Sequence, residues 1–231
     1  MTLPAILDQI TVVGSAYFQP IADLVEKLLR RTAPEPYPAG TSLRENGYAA
    51  SIVILLVAVL ESYTARLRFL RNDELIAGAK STPDLLIEYF PELMTKDDLV
   101  EVFLLRNLVA HNHIWHLDVS DVEKQGAPTL STPIELGFKT NKHYDSIVDV
   151  ATRKTKRLNL NANPSAVDRI DAKKVFQVIW NTLSFMNAKN FAHTPLAGRK
   201  VYYDGRLCQF EELIEEFTNS TSHKTATEVS D

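Results

Sequence analysis

The chain has 231 residues, 45% of them hydrophobic and 23% charged, which is the composition of a globular protein and excludes a fibrous or wholly disordered one. A formal net charge of -4 supplies no global attraction to nucleic acid, so any such contact must come from local patches. The single cysteine, Cys208, excludes an internal disulfide and a cysteine-paired metal knuckle, and it suits a cytoplasmic protein.

Met1 to Asp8 lacks a basic region followed by an apolar stretch and a small-residue cleavage site, so no signal peptide is expected. Residues 3–31 carry helical periodicity through Ile6, Ile10, Val13, Ile21, Leu24, Val25, Leu28 and Leu29. Pro20 lacks a backbone donor and clashes with the preceding turn, which predicts two helices or one kinked helix. Pro34, Pro36 and Pro38 make 31–40 an extended connector. A helix is predicted from about Ser42 to Arg71. Its apolar run, Tyr48–Leu60, falls short of the roughly 20 apolar residues that span a bilayer and reads as a bundle helix buried on all sides.

Ser81-Thr-Pro-Asp84 predicts a cap with proline in the first turn of a short helix ending at Tyr89, with Pro91 behind it. Thr95-Lys-Asp-Asp98 reads as a capping box for the next helix, whose apolar stretch covers 100–115. From 118 to 163, prolines, Gly126, Gly137 and the β-prone pieces Pro133–Phe138 and Arg157–Asn161 predict an insertion with a small hairpin or two. Helical periodicity returns over Ala172–Phe191. Val201–Cys208, with Asp204-Gly205 between β-prone flanks, predicts a hairpin, and Phe210–Phe217 a short amphipathic helix. Thr218–Asp231 is rich in Ser and Thr without aromatics and is expected to be a disordered tail. No internal repeat is apparent. The expected fold is all-α (mainly α): one domain over 1–217, with its core at 42–117 and 171–192 and the insertion at 118–163.

The helix over 100–115 carries the chemistry. Arg106, Asn107 and His111 are set into its apolar surface, where polar groups are costly unless paired. Asn107 and His111 are four apart and share a face. Arg106 lies roughly 140° from His111 on a straight helix. Either the helix is distorted, or two copies meet across a symmetric interface and pool their groups, which predicts a homodimer with a composite site near its two-fold axis. A purely structural arrangement is the alternative: Arg106 pairs with a carboxylate such as Glu61, and His111 satisfies polar contacts in the core. His113 lies on almost the same face as Arg106 and is the second candidate histidine; His111 is preferred for its Asn107 partner.

His111, His113 and His116 scatter around the helix with no acidic or cysteine partner at ligand spacing, so no metal site is read there. There is no glycine-rich phosphate loop and no Gly-x-Ser-x-Gly elbow. Lys139, Lys142, Arg153, Lys154, Lys156 and Arg157, set against Asp145 and Asp149, form either a patch able to follow an RNA backbone or ordinary solvated loop charge. Tyr144 could stack on a base, whereas Trp115 and Trp180 read as core.

The stretch Arg106-Asn-Leu-Val-Ala-His111 resembles the signature of the HEPN superfamily, an arginine followed by a polar residue and then a histidine after a spacer of four to six. The resemblance covers about residues 42–117 and, more loosely, 171–192. It implies a HEPN-type antiparallel helical bundle, commonly dimeric, acting on RNA as a metal-independent endoribonuclease with no cofactor. It places such a protein among toxin–antitoxin and antiviral-defence systems, with a possible antitoxin or defence-system partner and no membrane. Arg106 and His111 would be the catalytic pair and Asn107 the supporting residue. Inactive members bind RNA or serve as scaffolds, and a structural dimerisation domain is a further reading.

The residue types fit the chemistry. RNA supplies its own nucleophile, the 2′-hydroxyl, whose attack on the adjacent phosphate leaves a 2′,3′-cyclic phosphate. The step needs a proton acceptor, a proton donor for the leaving 5′-oxygen, and positive charge beside the phosphorane. Histidine, with an ordinary pKa near about 6.5, suits either proton role. The arginine fork suits phosphate oxygens.

Overall fold

The computed structural model describes residues 13–30, 43–71, 80–111, 116–118, 129–131, 144–149, 151–190, 194, 196 and 199–220. A turn of 3-10 helix, Val13–Tyr17, leads into α1 (Phe18–Leu29), and both lie against the long α2 (Leu43–Leu70). Pro20 sits in the first turn of α1, where its missing N–H needs no partner, so the expected break falls before the proline, at the change from 3-10 to α. The Gly14 N–H donates to Ser62 Oγ at 2.8 Å. A Cβ on Gly14 would stand 2.8 Å from Ser62 Cβ and 2.9 Å from Val59 Cα, so only glycine lets the 3-10 turn approach α2 this closely.

Two further helices follow, α3 (Thr82–Tyr89) and α4 (Lys96–His111). Ser81 caps α3, its hydroxyl oxygen accepting from Asp84 N, with Pro83 in the first turn as the sequence predicts. Thr95 behaves differently from expectation: its hydroxyl hydrogen-bonds to the Thr182 hydroxyl at 2.7 Å. Next come β1 (His116–Asp118), β2 (Thr129–Ser131), the short α5 (Tyr144–Ile147), β3 (Val148–Asp149) and β4 (Lys154–Thr155). After a 3-10 turn at Pro164–Ala166 lie α6 (Arg169–Lys189), β5 (Lys200–Tyr203), β6 (Arg206–Gln209) and α7 (Phe210–Ser220). Among the described residues the strands form three separate antiparallel pairs, β1–β2, β3–β4 and β5–β6, and the protein is mainly helical with small hairpins.

The core is built around α2. Ile52, Val53, Leu56, Val57, Leu60, Tyr63 and Leu67 are fully buried against α1, α4 and α6. Each such aliphatic side chain contributes about 1.5–3 kcal/mol through removal from water. Arg44–Leu70 is also, among the described residues, the one helix long and apolar enough to cross a membrane by length and composition, longer than the run marked in the sequence; half of its most apolar window is buried inside the protein. Glu45, near its start, takes a two-pronged bond from Arg169 at the start of α6, with Nε and Nη2 each at 2.8 Å. At the other end the Arg71 guanidinium lies 4.4 Å from the Tyr89 ring centroid, closing α2 onto α3.

Residues 144–163, the described end of the expected insertion, pack into the body of the protein. Tyr144, Val148 and Ala162 form a second buried cluster with Leu104 and Leu108 of α4, and Leu160 enters the main core. The β-prone look of 157–161 proves misleading: Thr155 N donates to Leu160 O at 2.8 Å and Asn159 takes φ 56, so the segment is a turn. His116, counted above with the helical histidines, stands in β1. Pro133–Phe138, the connector over 31–40 and residues 221–231 lie outside the described residues. The predicted tail begins later than Thr218, because α7 runs to Ser220.

The β5–β6 hairpin closes the fold. Asp204 and Gly205 take φ 49 and 76, the paired positive values that an Asp-Gly two-residue turn supplies. The Gln19 side-chain amide then pairs with the outer edge of β5, accepting from Tyr202 N at 2.8 Å and donating to Tyr202 O at 2.9 Å. Phe210 opens α7 and packs on Phe18, Phe176 and Trp180, tying α1, α6 and α7 together.

The capping box of α6 joins Asp168 to Asp171, and the buried Asp171 carboxyl also accepts from Asn161 N at 3.1 Å and Asn161 Nδ2 at 2.8 Å. Burial and the Asp168 charge beside it push the Asp171 acid up to about 6. Two outcomes are expected. An unfolded aspartate ionises near about 3.9 while native Asp171 keeps its proton to about 6, so the native state binds more protons in that window. Its contribution to stability therefore falls as pH rises from about 4 to 6, and a carboxyl titration followed by NMR should place the Asp171 midpoint near the upper end. Gly14→Ala should cost about 1–3 kcal/mol by forcing the 3-10 turn off α2, measured by urea unfolding.

Candidate functional site

Along α4, Glu101, Val102, Phe103, Leu104 and Leu105 are all buried, with the main core on one side and the 144–162 cluster on the other. That double covering explains the absence of an amphipathic stripe. After Leu105 the helix comes to the surface: Arg106 and Asn107 are half-buried and His111 is exposed. A buried carboxylate holds the covering segment in place. Glu101 accepts the backbone N–H of Arg157 at 2.9 Å and that of Leu158 at 2.8 Å. Arg157 then reaches Asp98 through Nε at 3.1 Å, a bond that raises the guanidinium above its ordinary pKa.

Arg106 faces α2, where its Nη2 donates to Glu61 Oε1. The side chains of the pair retain 22% and 41% exposure, so this contact lies at a surface. The Arg106 guanidinium stands 5.4 Å from the Phe103 ring centroid, and its Nε–H is buried with no acceptor among the described residues. Beside the pair is a cavity of about 530 Å³. Glu61 of α2, Val100, Phe103, Leu104, Arg106 and Asn107 of α4, the stretch Lys80–Asp84 and Ile147 of α5 line it. Lys80 pairs with Glu88, and the Ser81 hydroxyl donates to Asp84 Oδ2 at 2.6 Å, so both rim charges are engaged. Chemically this is a concave surface with the Asn107 carboxamide, two cations (Lys80 and Arg106) and two carboxylates (Glu61 and Asp84) in its lining.

The structure thus brings Arg106 and Asn107 to one cavity. His111, the last residue of α4, does not line it, and no hydrogen bond joins it to Asn107 among the described residues. Within one copy of the chain the two proposed catalytic groups do not converge on this cavity. His113 and Trp115 lie outside the described residues, as do Lys139 and Lys142. The remaining basic patch is partly consumed: Arg157 is held by Asp98, and Lys156 Nζ donates to Ser146 O at 2.9 Å. The Tyr144 ring is buried against α4 and is not a stacking surface. Trp180 is half-buried against Phe210 at the margin of the core.

Sequence reading missed Lys80–Asp84, Phe103 and Ile147 as cavity walls. The cap at Ser81 was legible, but nothing local says that the first turn of α3 will face Arg106. A second, smaller cavity of about 220 Å³ lies between α6 and the β6–α7 junction, lined by Trp180, Ser184, Asn187, Arg199 and Gln209 among others. Arg199 there bonds to the buried Tyr63 phenol, whose pKa burial raises and Arg199 partly draws back. Among the described residues no group of three or more His, Cys, Asp or Glu side chains is placed to hold a metal ion.

No protein-family model, no curated protein and no solved structure matches the chain. Glu101→Ala would strip the Arg157 and Leu158 amides of their acceptor and unfasten the segment that supplies Ile147 to the cavity. A loss of about 2–4 kcal/mol is expected, with faster hydrogen exchange at those two amides.

Proposed function

We propose that the protein is a metal-independent endoribonuclease of the HEPN type, cytoplasmic and acting in a toxin–antitoxin or antiviral-defence setting. One observation carries the reading: the arginine of the Arg106–His111 stretch is presented on a 530 Å³ cavity and not sealed in the core. In this reading Arg106 holds the scissile phosphate and stabilises the charge that grows on it. His111 moves protons between the 2′-hydroxyl, solvent and the leaving 5′-oxygen. Asn107 binds the backbone beside Arg106. Since His111 stands apart from the cavity of its own copy, the reading calls for a homodimer in which one copy's histidine serves the other's arginine. The Arg106–Glu61 ion pair is the contact expected of the purely structural alternative, and it neutralises the phosphate-binding charge; a non-catalytic module that binds RNA or a protein partner is the second functional reading.

Cleavage of single-stranded RNA in EDTA, leaving 2′,3′-cyclic phosphate ends, is the expected activity. His111→Ala should lower the rate about 10²–10⁴-fold and Arg106→Ala about 10²–10³-fold, with circular dichroism unchanged. Mixing the two inactive variants should restore part of the rate if the site is shared between copies. RNA binding with no cleavage selects the second reading. Loss of stability in Arg106→Ala, with no RNA binding by the unaltered protein, rejects both.

A further inference from the structure

We infer that Glu61 occupies, in the free protein, the place on Arg106 that an RNA phosphate takes in the complex, so that the carboxylate acts as a built-in competitor for the substrate. The inference rests on the RNA-directed reading of this cavity and adds a residue and a regulation to it.

Four observations converge. Glu61 and Arg106 are joined by an ion pair on the wall of the cavity, with both side chains reachable from solvent. A carboxylate and a phosphate present the same kind of paired oxygens to a guanidinium, so one can replace the other without rebuilding the donor. Glu61 engages only Nη2 and the Nε–H is buried, so an incoming anion would meet the guanidinium from the Nη side, where the carboxylate now sits. The charges around the cavity cancel, Arg106 and Lys80 against Glu61 and Asp84, and a balanced lining does not draw a polyanion.

The two carboxylates differ in what they hold. Asp84 accepts the Ser81 hydroxyl and belongs to the cap of α3, whereas Glu61 holds the one arginine on the wall. A sealed structural pair looks different. Glu45 and Arg169 are bonded through two prongs with side-chain exposures of only 5% and 12%. The Glu61–Arg106 contact is single-pronged and partly exposed, and an ion pair open to solvent on its carboxylate side is weak enough for a ligand to exchange.

The test is equilibrium binding of a fluorescein-labelled, fully 2′-O-methylated single-stranded RNA, which lacks the 2′-hydroxyl nucleophile, to the full chain and to Glu61→Gln and Asp84→Asn. Glu61→Gln should bind about fivefold tighter, and the slope of log affinity against log salt should steepen by about one charge, while Asp84→Asn stays within twofold of the unaltered protein. RNA binding that Glu61→Gln leaves unchanged or weakens overturns the inference and leaves the proposed function standing. An equal gain in Asp84→Asn also overturns it, since the effect would then be general charge and not competition at Arg106. Absence of RNA binding by all three proteins at low salt overturns the RNA reading itself, and this inference with it.

Discussion

The burial of α2 constrains the rest of the molecule. α2 is not buried on all sides as its composition suggests: α1, α4 and α6 cover one side of it, while Ile54 and Phe69 stay exposed. Its few acidic positions then become fixed points. Glu45 is buried and cannot be left unpartnered against apolar neighbours, whereas Glu61 keeps 41% of its side chain exposed and pairs at the surface. Arg169 answers the first from α6 and Arg106 the second from α4.

The buried acids of this protein separate into two kinds. Glu45, Glu101 and Asp171 are almost wholly enclosed and are satisfied by fixed donors: a guanidinium fork, a pair of backbone amides, and the Asp168 amide with the backbone and side-chain N–H groups of Asn161. Each fastens one segment to another, and each is expensive to remove. Glu61 is the exception, with one partner and contact with solvent. Glu61 lies on the cavity wall outside the core, so its ion pair is open to solvent where the other three are closed. That asymmetry, more than the motif by itself, gives the α4 surface its interest.

Much of the architecture could be read from local signals. The apolar period of α2 and α6, the Ser81 cap with Pro83, and the Asp204-Gly205 turn all express preferences that operate within a few residues, and each appears where expected. Where tertiary demands intervened, the reading failed. Leu158 and Leu160 alternate with asparagines like a strand, yet Leu160 is drawn into the core and the backbone turns over at Asn159 to deliver it. Thr95 carries a capping signature, but a hydroxyl on the facing helix claims its side chain. For the site, the arginine and its carboxylate partner were visible because both stand out against apolar surroundings. The cavity was not, since its walls come from α2, α3, α4 and α5, and no local pattern encodes how four segments distant in the chain will meet.

The clasp between Gln19 and Tyr202 joins groups 183 residues apart in the chain. Together with the Phe18–Phe210 contact, whose ring centroids are 4.5 Å apart, it fastens one of the earliest described helices to the last strands. On the ribosome α1 emerges long before the hairpin that will hold it. Its apolar face, carrying Phe18, Ile21 and Val25, must meanwhile rest on α2 alone or be shielded by a chaperone. The enclosure of α1 thus waits until the β5–β6 hairpin and the first turn of α7 have been made.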